Sequence, residues 1–216
     1  MNTPTALYSN QDKYGGSAAC CVIACFLAKH QLRWGEKPEL GQLDRIVREG
    51  SEAWQELQTG FMATDEVIAV FPELSMLKLR ESYRAMASGE IRDNDGHLLA
   101  HNARQVILGW TRRHDNSVAV VTRSGYTYTI LQYNSMYFVV DSHPNVLERH
   151  GSAIRPDKSL KIVKDRTSGL LLEYYFPLDV ANYVVNFIEP TEIDERFLVS
   201  SDEMQIDILT LDEAET

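Results

Sequence analysis

Residues 10–30 read NQDKYGGSAACCVIACFLAKH, and the fold turns on this stretch. From Ser17 onward apolar side chains run almost all the way round a helical wheel. That predicts a central helix buried on every side, with Ser17 as its N-cap. Three cysteines fall within it, at positions 20, 21 and 25. They can be packing material, metal ligands, or one nucleophile with two bystanders.

The chain around this helix is organised as helices first and strands second. PELGQLDRIVREGSEAWQEL, residues 38–57, places Leu40, Leu43, Ile46, Val47, Trp54 and Leu57 at helical spacing. ATDEVIAVF, 63–71, predicts a short helix capped at Thr64, and LSMLKLRESY, 74–83, a strand. Asn94-Asp95-Gly96 marks a turn. HLLAHNARQVILGW, 97–110, then predicts a helix with Leu99, Ala103, Val106, Ile107 and Trp110 on one face. SVAVVTR, YTYTILQY and SMYFVVD follow as three β-rich segments, with turns at Ser124-Gly125 and Asn134-Ser135, which predicts an antiparallel meander. GLLLEYYF adds a strand, and PLDVANYVVNFI a late helix with Pro177 in its first turn. The layout is α+β, a buried helix packed on an antiparallel sheet. No internal repeat or low-complexity linker interrupts it. One domain is expected over residues 1–195, its packed part starting near residue 8. Residues 196–216 read as an acidic tail or edge strand around Ile206, Ile208 and Leu209.

The bulk numbers fit one domain of ordinary composition. The chain has 216 residues, 44% hydrophobic and 24% charged, enough for a sizeable core and unlike a disordered chain. The net charge of −10 disfavours nucleic acid and anionic membranes and favours a basic partner. No apolar run approaches the roughly 18 to 20 residues that span a bilayer. The first residues lack the basic and apolar zones of a signal peptide. An intracellular location is therefore expected, in cytoplasm or nucleus, or in the host cytosol for a viral or bacterial effector. Three clustered cysteines do not make a disulfide framework. Cys20 and Cys21 would point about 100° apart on a helix, so reduced thiols are expected.

The three thiols differ in placement. Structural zinc sites use couples such as Cys-x-x-Cys with a second couple elsewhere. Cys21 and Cys25 share a helix face four residues apart, and His97 and His101 are also four apart, but scattered surface histidines explain that coincidence better. No metal is expected. Cys25, and with it Cys21, read as small buried hydrophobes. Cys20 sits in the first helical turn after a Gly-Gly-Ser approach. Unpaired backbone N–H groups and the positive end of the helix dipole favour a thiolate there.

A nucleophile needs a base, and the base needs orienting. MYFVVDSHPN, 136–145, supplies both. Asp141 and His143 are two apart on an extended chain, so both side chains project to one face, and the Asp can hold the imidazole in one tautomer. The apolar run before them makes a rigid strand, which Pro144 ends. Gln11, nine residues before Cys20, carries a neutral amide that can serve an oxyanion, although a loop Gln alone is usually just solvated.

The joint pattern is more specific. Gln11-x-x-Tyr14-Gly15 leads to Ala19-Cys20-x-x-Ile23-Ala24, and GYTYTILQYNSMYFVVDSHPN ends in Asp-Ser-His-Pro. This resembles the herpesvirus tegument-type deubiquitinases and their relatives in other viruses, bacteria and eukaryotes. They are papain-like cysteine peptidases with Asp-x-His on one strand. The resemblance is concentrated in residues 10–28 and 117–144. It implies a papain-like α+β fold, with Cys20 as nucleophile, His143 as base, Asp141 as orienter and Gln11 as oxyanion donor. It also implies cleavage after the C-terminal glycine of ubiquitin or of units in polyubiquitin chains, with no metal or organic cofactor. The doubled Cys20-Cys21 leaves the register open by one residue. Cys20 fits better, because it puts Ile23 and Ala24 where a buried helix needs them. Ala19 stands where herpesvirus members often carry a polar residue.

The acidic charge suits the arginines of ubiquitin's tail and the surface around it. Gly15, Gly16 and Ser17 are small enough to line a narrow path for that tail, and residues 50–66 are a candidate contact surface. Two alternatives stay open: a protease for another ubiquitin-like modifier or another papain-fold acyl-transfer enzyme, and a catalytically inactive binding module.

Overall fold

The computed structural model describes residues 5–57, 60–113, 116–123, 125–143, 169–186 and 203–212. The predicted central helix is present as α1 (Cys20–Trp34). Eleven of its residues are buried, from Cys20 through Leu32, because it lies between the sheet on one side and two helices, α2 (Leu40–Leu57) and α3 (Thr64–Val70), on the other. Helix α2 is amphipathic, and only the stripe Leu43, Ile46, Val47, Gly50 and Ser51 is buried. Gly50 sets the approach of the two helices: a Cβ there would fall 2.8 Å from Ile23 Cγ1. Each fully buried Leu or Ile in this layer contributes about 1.5–3 kcal/mol.

Strands β1 (Thr5–Ala6), β2 (Leu77–Met86), β3 (Ile91–Arg92) and β4 (Leu98–Asn102) precede helix α4 (Ala103–Thr111). Then come β5 (Val118–Arg123), β6 (Tyr126–Tyr133), β7 (Met136–Asp141), β8 (Leu170–Tyr174), helix α5 (Pro177–Val185) and β9 (Glu203–Leu211). Among the described residues the strands form one nine-stranded sheet, ordered β1-β8-β7-β6-β5-β9-β2-β4-β3. Every pairing is antiparallel except β2 with β4. The predicted meander is β5-β6-β7. Asn134 and Ser135 both take positive φ, 48° and 62°, as the tight turn requires, and Gly125 has φ 78°. Ser124 and Pro144 lie outside the described residues.

Both faces of the sheet are covered. Val118 and Val120 of β5 and Phe138 and Val140 of β7 pack with α1. The alternate residues Ala119, Val121, Tyr137 and Val139 pack with Ile107 and Trp110 of α4 and Val180 and Tyr183 of α5. That second helical layer explains why β5 and β7 are continuous apolar runs rather than alternating ones.

Several expectations are corrected. Residues 203–211 are neither an edge strand nor a frayed tail: β9 sits inside the sheet, paired along both sides with β2 and β5. Ile206, Ile208 and Leu209 are fully buried. The helix expected over 97–110 begins only at Ala103. Leu98–Asn102 pairs as a strand, Leu99 is exposed, and the Asn102 side chain accepts the Gln105 N–H at 3.1 Å to start α4. The N-cap of α1 is Ala19, not Ser17, because the backbone first turns through an Ala19 N–H to Gly16 carbonyl bond of 2.9 Å. The cap of α3 is Ala63, whose N–H donates to Glu66 at 2.8 Å, one residue before the expected Thr64. Among the described residues no helix is long and apolar enough to cross a membrane.

Candidate active site

Three segments meet at the start of α1. The first is the approach loop. Asn10 accepts the Lys13 N–H at 3.0 Å and opens a 3-10 turn over Gln11–Tyr14, which Gly15 ends at φ 73°. Helix α2 holds this loop from below. Gln55 donates to the Tyr14 carbonyl at 2.7 Å, and Asp44 accepts from Tyr14 Oη at 3.2 Å and from Ser9 Oγ. A Cβ on Gly16 would lie 2.7 Å from Ser51 Oγ and 2.9 Å from Ala19 Cβ. The glycine is thus needed for packing on α2, a use distinct from the substrate path foreseen in the sequence.

The second segment is the helix start. Cys20 is the first residue of α1 and only 2% exposed. Ala19 has no polar side chain to cap the first turn, and Cys20 stands at the positive end of the helix dipole. Cys20 Sγ lies 3.8 Å from the Gly125 carbonyl, at the β5–β6 turn, and Thr127 at the start of β6 hydrogen-bonds it.

The third is the end of β7. Asp141 is its last residue, and Oδ1 accepts both the His143 N–H at 2.9 Å and Nδ1 at 2.6 Å. An ionised carboxylate only accepts, so Nδ1 carries the proton and Nε2 is turned to the thiol. Both residues are buried, and the Tyr126 ring stands 4.8 Å from the imidazole, centroid to centroid. Gly169 lets the chain before β8 press on this strand end: a Cβ there would fall 2.6 Å from the Asp141 carbonyl oxygen.

The electrostatics separate the charges of the pair. Burial alone would push the Cys20 thiol up. The hydrogen bond and charge of His143, with hydrogen bonds from Thr127, outweigh burial and hold it below its ordinary value. Burial would lower His143, but the charge and hydrogen bond of Asp141, followed by Cys20, push it up to about 9. Both shifts favour a thiolate facing an imidazolium. Such a pair is a nucleophile with a proton donor in place, the arrangement acyl transfer requires.

Gln11 joins the same cluster. Its backbone N–H donates to the Ser142 carbonyl at 2.9 Å, its Oε1 accepts from Ser142 Oγ at 3.0 Å, and its Nε2 donates to the Ser17 carbonyl at 3.1 Å. The structure therefore brings Cys20, His143, Asp141 and Gln11 together. Sequence reasoning missed Ser142, Tyr126, Thr127 and Gly169. Ser142 was within reach, since it sits between Asp141 and His143. Nothing local to residues 125–127 signals that the β5–β6 turn reaches α1.

The other two thiols point into the core. Cys21 Sγ is 3.7 Å from Thr64 Oγ1, and Cys25 is fully buried. The hydrogen bond that the Cys25 thiol gives to Cys21, then burial, then the nearby charges of Cys21 and Asp207 push Cys25 up. His97 pairs with Asp93 at 3.0 Å and His101 meets the Tyr83 ring edge-on, so neither shares a site with the cysteines. Among the described residues Asp93, Asp95 and His97 form one group whose ligand atoms lie within 4.8 Å, largely exposed and on elements other than those carrying Cys20. In the segment 50–66, Gln58 and Thr59 lie outside the described residues.

No family model and no curated protein matches the chain. Among solved structures, the fold is similar to that of the ubiquitin-specific protease encoded by murine cytomegalovirus tegument protein M48, in complex with a ubiquitin-based suicide substrate. The TM-score is 0.66 at 12% identity, over 98% of this chain and 88% of that one. A second likeness, to the Pseudomonas avirulence protein AvrPphB, has a TM-score of 0.47 at 10% identity over 96% and 97%, too weak to carry an argument. The α+β papain-like architecture is the shared feature.

Proposed function

We propose that this chain is a cysteine-type deubiquitinase that hydrolyses the peptide or isopeptide bond after the C-terminal glycine of ubiquitin. One observation carries the reading. The buried Cys20–His143–Asp141 cluster, with Gln11 beside it, occurs in a fold matched along 98% of the chain by a viral ubiquitin-specific protease. Fold alone does not fix the substrate, so the polarity of the chain supports the choice: its net charge of −10 complements a basic tail.

The Cys20 thiolate attacks the glycine carbonyl while His143 holds the proton. Gln11 Nε2 has a second N–H besides the one given to Ser17. That N–H and the Cys20 backbone N–H receive the oxyanion. His143 Nε2 then protonates the leaving amine. Water, deprotonated by His143, attacks the thioester and expels the Cys20 thiolate; the ubiquitin carboxylic acid gives its proton to solvent, and the thiolate–imidazolium pair is restored.

The test is incubation with ubiquitin carrying a C-terminal electrophile, read by intact mass and peptide mapping. Wild type should gain one ubiquitin on Cys20, Cys20→Ala none, and Cys21→Ala one. Labelling that survives Cys20→Ala and vanishes in Cys21→Ala would shift the nucleophile by one residue. Preference for a probe built on another ubiquitin-like modifier would overturn the substrate.

A further inference from the structure

We propose that Ser142 is a positioning residue that sets the orientation of the Gln11 amide. The inference rests on the acyl-transfer reading above and extends it to a residue with no role there. A side-chain amide has two faces of similar shape and opposite chemistry, an acceptor oxygen and a donor nitrogen. Only one orientation of Gln11 turns its N–H groups to the Ser17 carbonyl, three residues before Cys20. Flipped, it would present an oxygen to the oxyanion and repel it.

Two contacts choose between them. Ser142 Oγ donates to Oε1 at 3.0 Å, and the Ser17 carbonyl accepts from Nε2 at 3.1 Å. A carbonyl accepts only, and would be left facing an oxygen in the flipped amide. A hydroxyl is less selective, but here its hydrogen goes to Oε1. Gln11 and Ser142 are both buried, so an unmade bond is not replaced by bulk water. The backbone adds a second tie, Gln11 N–H to the Ser142 carbonyl at 2.9 Å. Ser142 thus bonds Gln11 through main chain and side chain while standing between the orienting carboxylate and the base. A shift of the approach loop is transmitted to the strand end that carries His143, and the reverse.

The experiment is a double-mutant cycle on hydrolysis of a fluorogenic ubiquitin C-terminal amide, with Ser142→Ala, Ser142→Thr, Gln11→Ala and the double alanine variant. Removing an oxyanion donor costs about 10²–10³ in kcat. Ser142→Ala, which loosens the donor rather than removing it, should lower kcat about tenfold with KM within twofold. Ser142→Thr should restore most of it. In the Gln11→Ala background Ser142→Ala should have no further effect, because it acts through the amide. An equal loss in both backgrounds, or no loss in either, would overturn the proposal. A second readout does not depend on substrate. Exchange of the Gln11 side-chain amide protons, followed by NMR, should be slow in wild type and in Ser142→Thr and faster in Ser142→Ala. If wild type hydrolyses no ubiquitin substrate, the deubiquitinase reading falls while amide exchange still decides the latch. Unchanged exchange in Ser142→Ala would sink it.

Discussion

The first and second turns of α1 carry the same functional group under opposite physics. Cys20 and Cys25 are both buried, on one helix, five residues apart. One thiol is held down and the other pushed up. Burial raises both, so burial is not the difference. Cys20 faces a cation and hydrogen-bond donors, His143 and Thr127. Cys25 faces another thiol and a carboxylate, Cys21 and Asp207. The same helix thus carries one thiol held ready to ionise and one held neutral, and what separates them is the charge and donors that the neighbouring strands bring to the first turn.

The largest expected effect tests this contrast directly. Cys20→Ala should abolish hydrolysis of a ubiquitin substrate, by at least about 10⁴-fold, since the nucleophile is lost. Cys25→Ala should leave kcat within about twofold. A comparable loss in both would mean that the second turn is part of the chemistry, and the contrast would fail.

Next in size is Asp141→Asn. The charge and acceptor that push His143 up are lost, and the neutral amide also permits the wrong tautomer. The expected cost is about 10²–10⁴ in kcat. The pH profile gives the sign. In the proposed mechanism thiolate with imidazolium is the active form, so kcat/KM should rise as Cys20 deprotonates, below the ordinary thiol range, and fall as His143 loses its proton near about 9. In Asp141→Asn His143 deprotonates at lower pH, and the alkaline limb moves down with it. An unmoved limb would show that Asp141 is not what holds the proton on His143.

These effects concern residues that were legible because they are close in sequence or tied to a turn. Asp141 and His143 share a strand face by spacing alone, and the β6–β7 register followed from the Asn134-Ser135 turn. What failed was long-range. Strand β9 joins β2 and β5, which lie about 80 to 130 residues earlier, and no local pattern names its neighbours. Met204, Ile206 and Ile208 face one side of the sheet, and Gln205 and Asp207 the other. The polar face is covered. Asp207 accepts from Ser82 Oγ at 2.6 Å and from Gln205 Nε2 at 2.9 Å, which is how a carboxylate inside a sheet is tolerated. The 97–110 segment failed for the same reason. Leu98–Asn102 becomes a strand because β2 and β3 are beside it, against its helical periodicity. Gly16 and Gly169 were legible as glycines but not as contacts, since the atoms they make room for belong to α2 and β7.

A smaller effect sharpens the comparison in rate rather than in turnover. With limiting iodoacetamide near neutral pH, Cys20 should be alkylated first, because a thiolate fraction exists there. Cys25 should react only once the chain unfolds, and adding denaturant should make the thiols equivalent. Peptide mapping reads the order. Early modification of Cys25 under native conditions would mean that the core around it opens locally, and that its inertness is not built into the fold.

The smallest effect isolates what Cys25 does instead of chemistry. It is fully buried in the core around α1, in one cluster with Val22, Ile23 and Leu27. Cys25→Ala removes one buried sulfur and leaves a void too small for water, with a cost of about 1 kcal/mol in unfolding free energy, comparable to losing one buried methyl group. Cys20→Ala removes the same atom and also a thiolate that His143 and Thr127 favour by more than burial disfavours it. A thiol pKa held below its unfolded value adds stability that is full at pH above the unfolded value and is lost as pH falls through the folded one. In the slightly alkaline range Cys20→Ala should therefore cost more than Cys25→Ala, the same order as in activity, and the gap should close on acidification. Denaturant titration of both variants at two pH values checks this. A smaller loss in Cys20→Ala at both would mean that the thiolate–imidazolium pair is no net stabiliser, and that the first turn of α1 carries its chemistry at a structural cost.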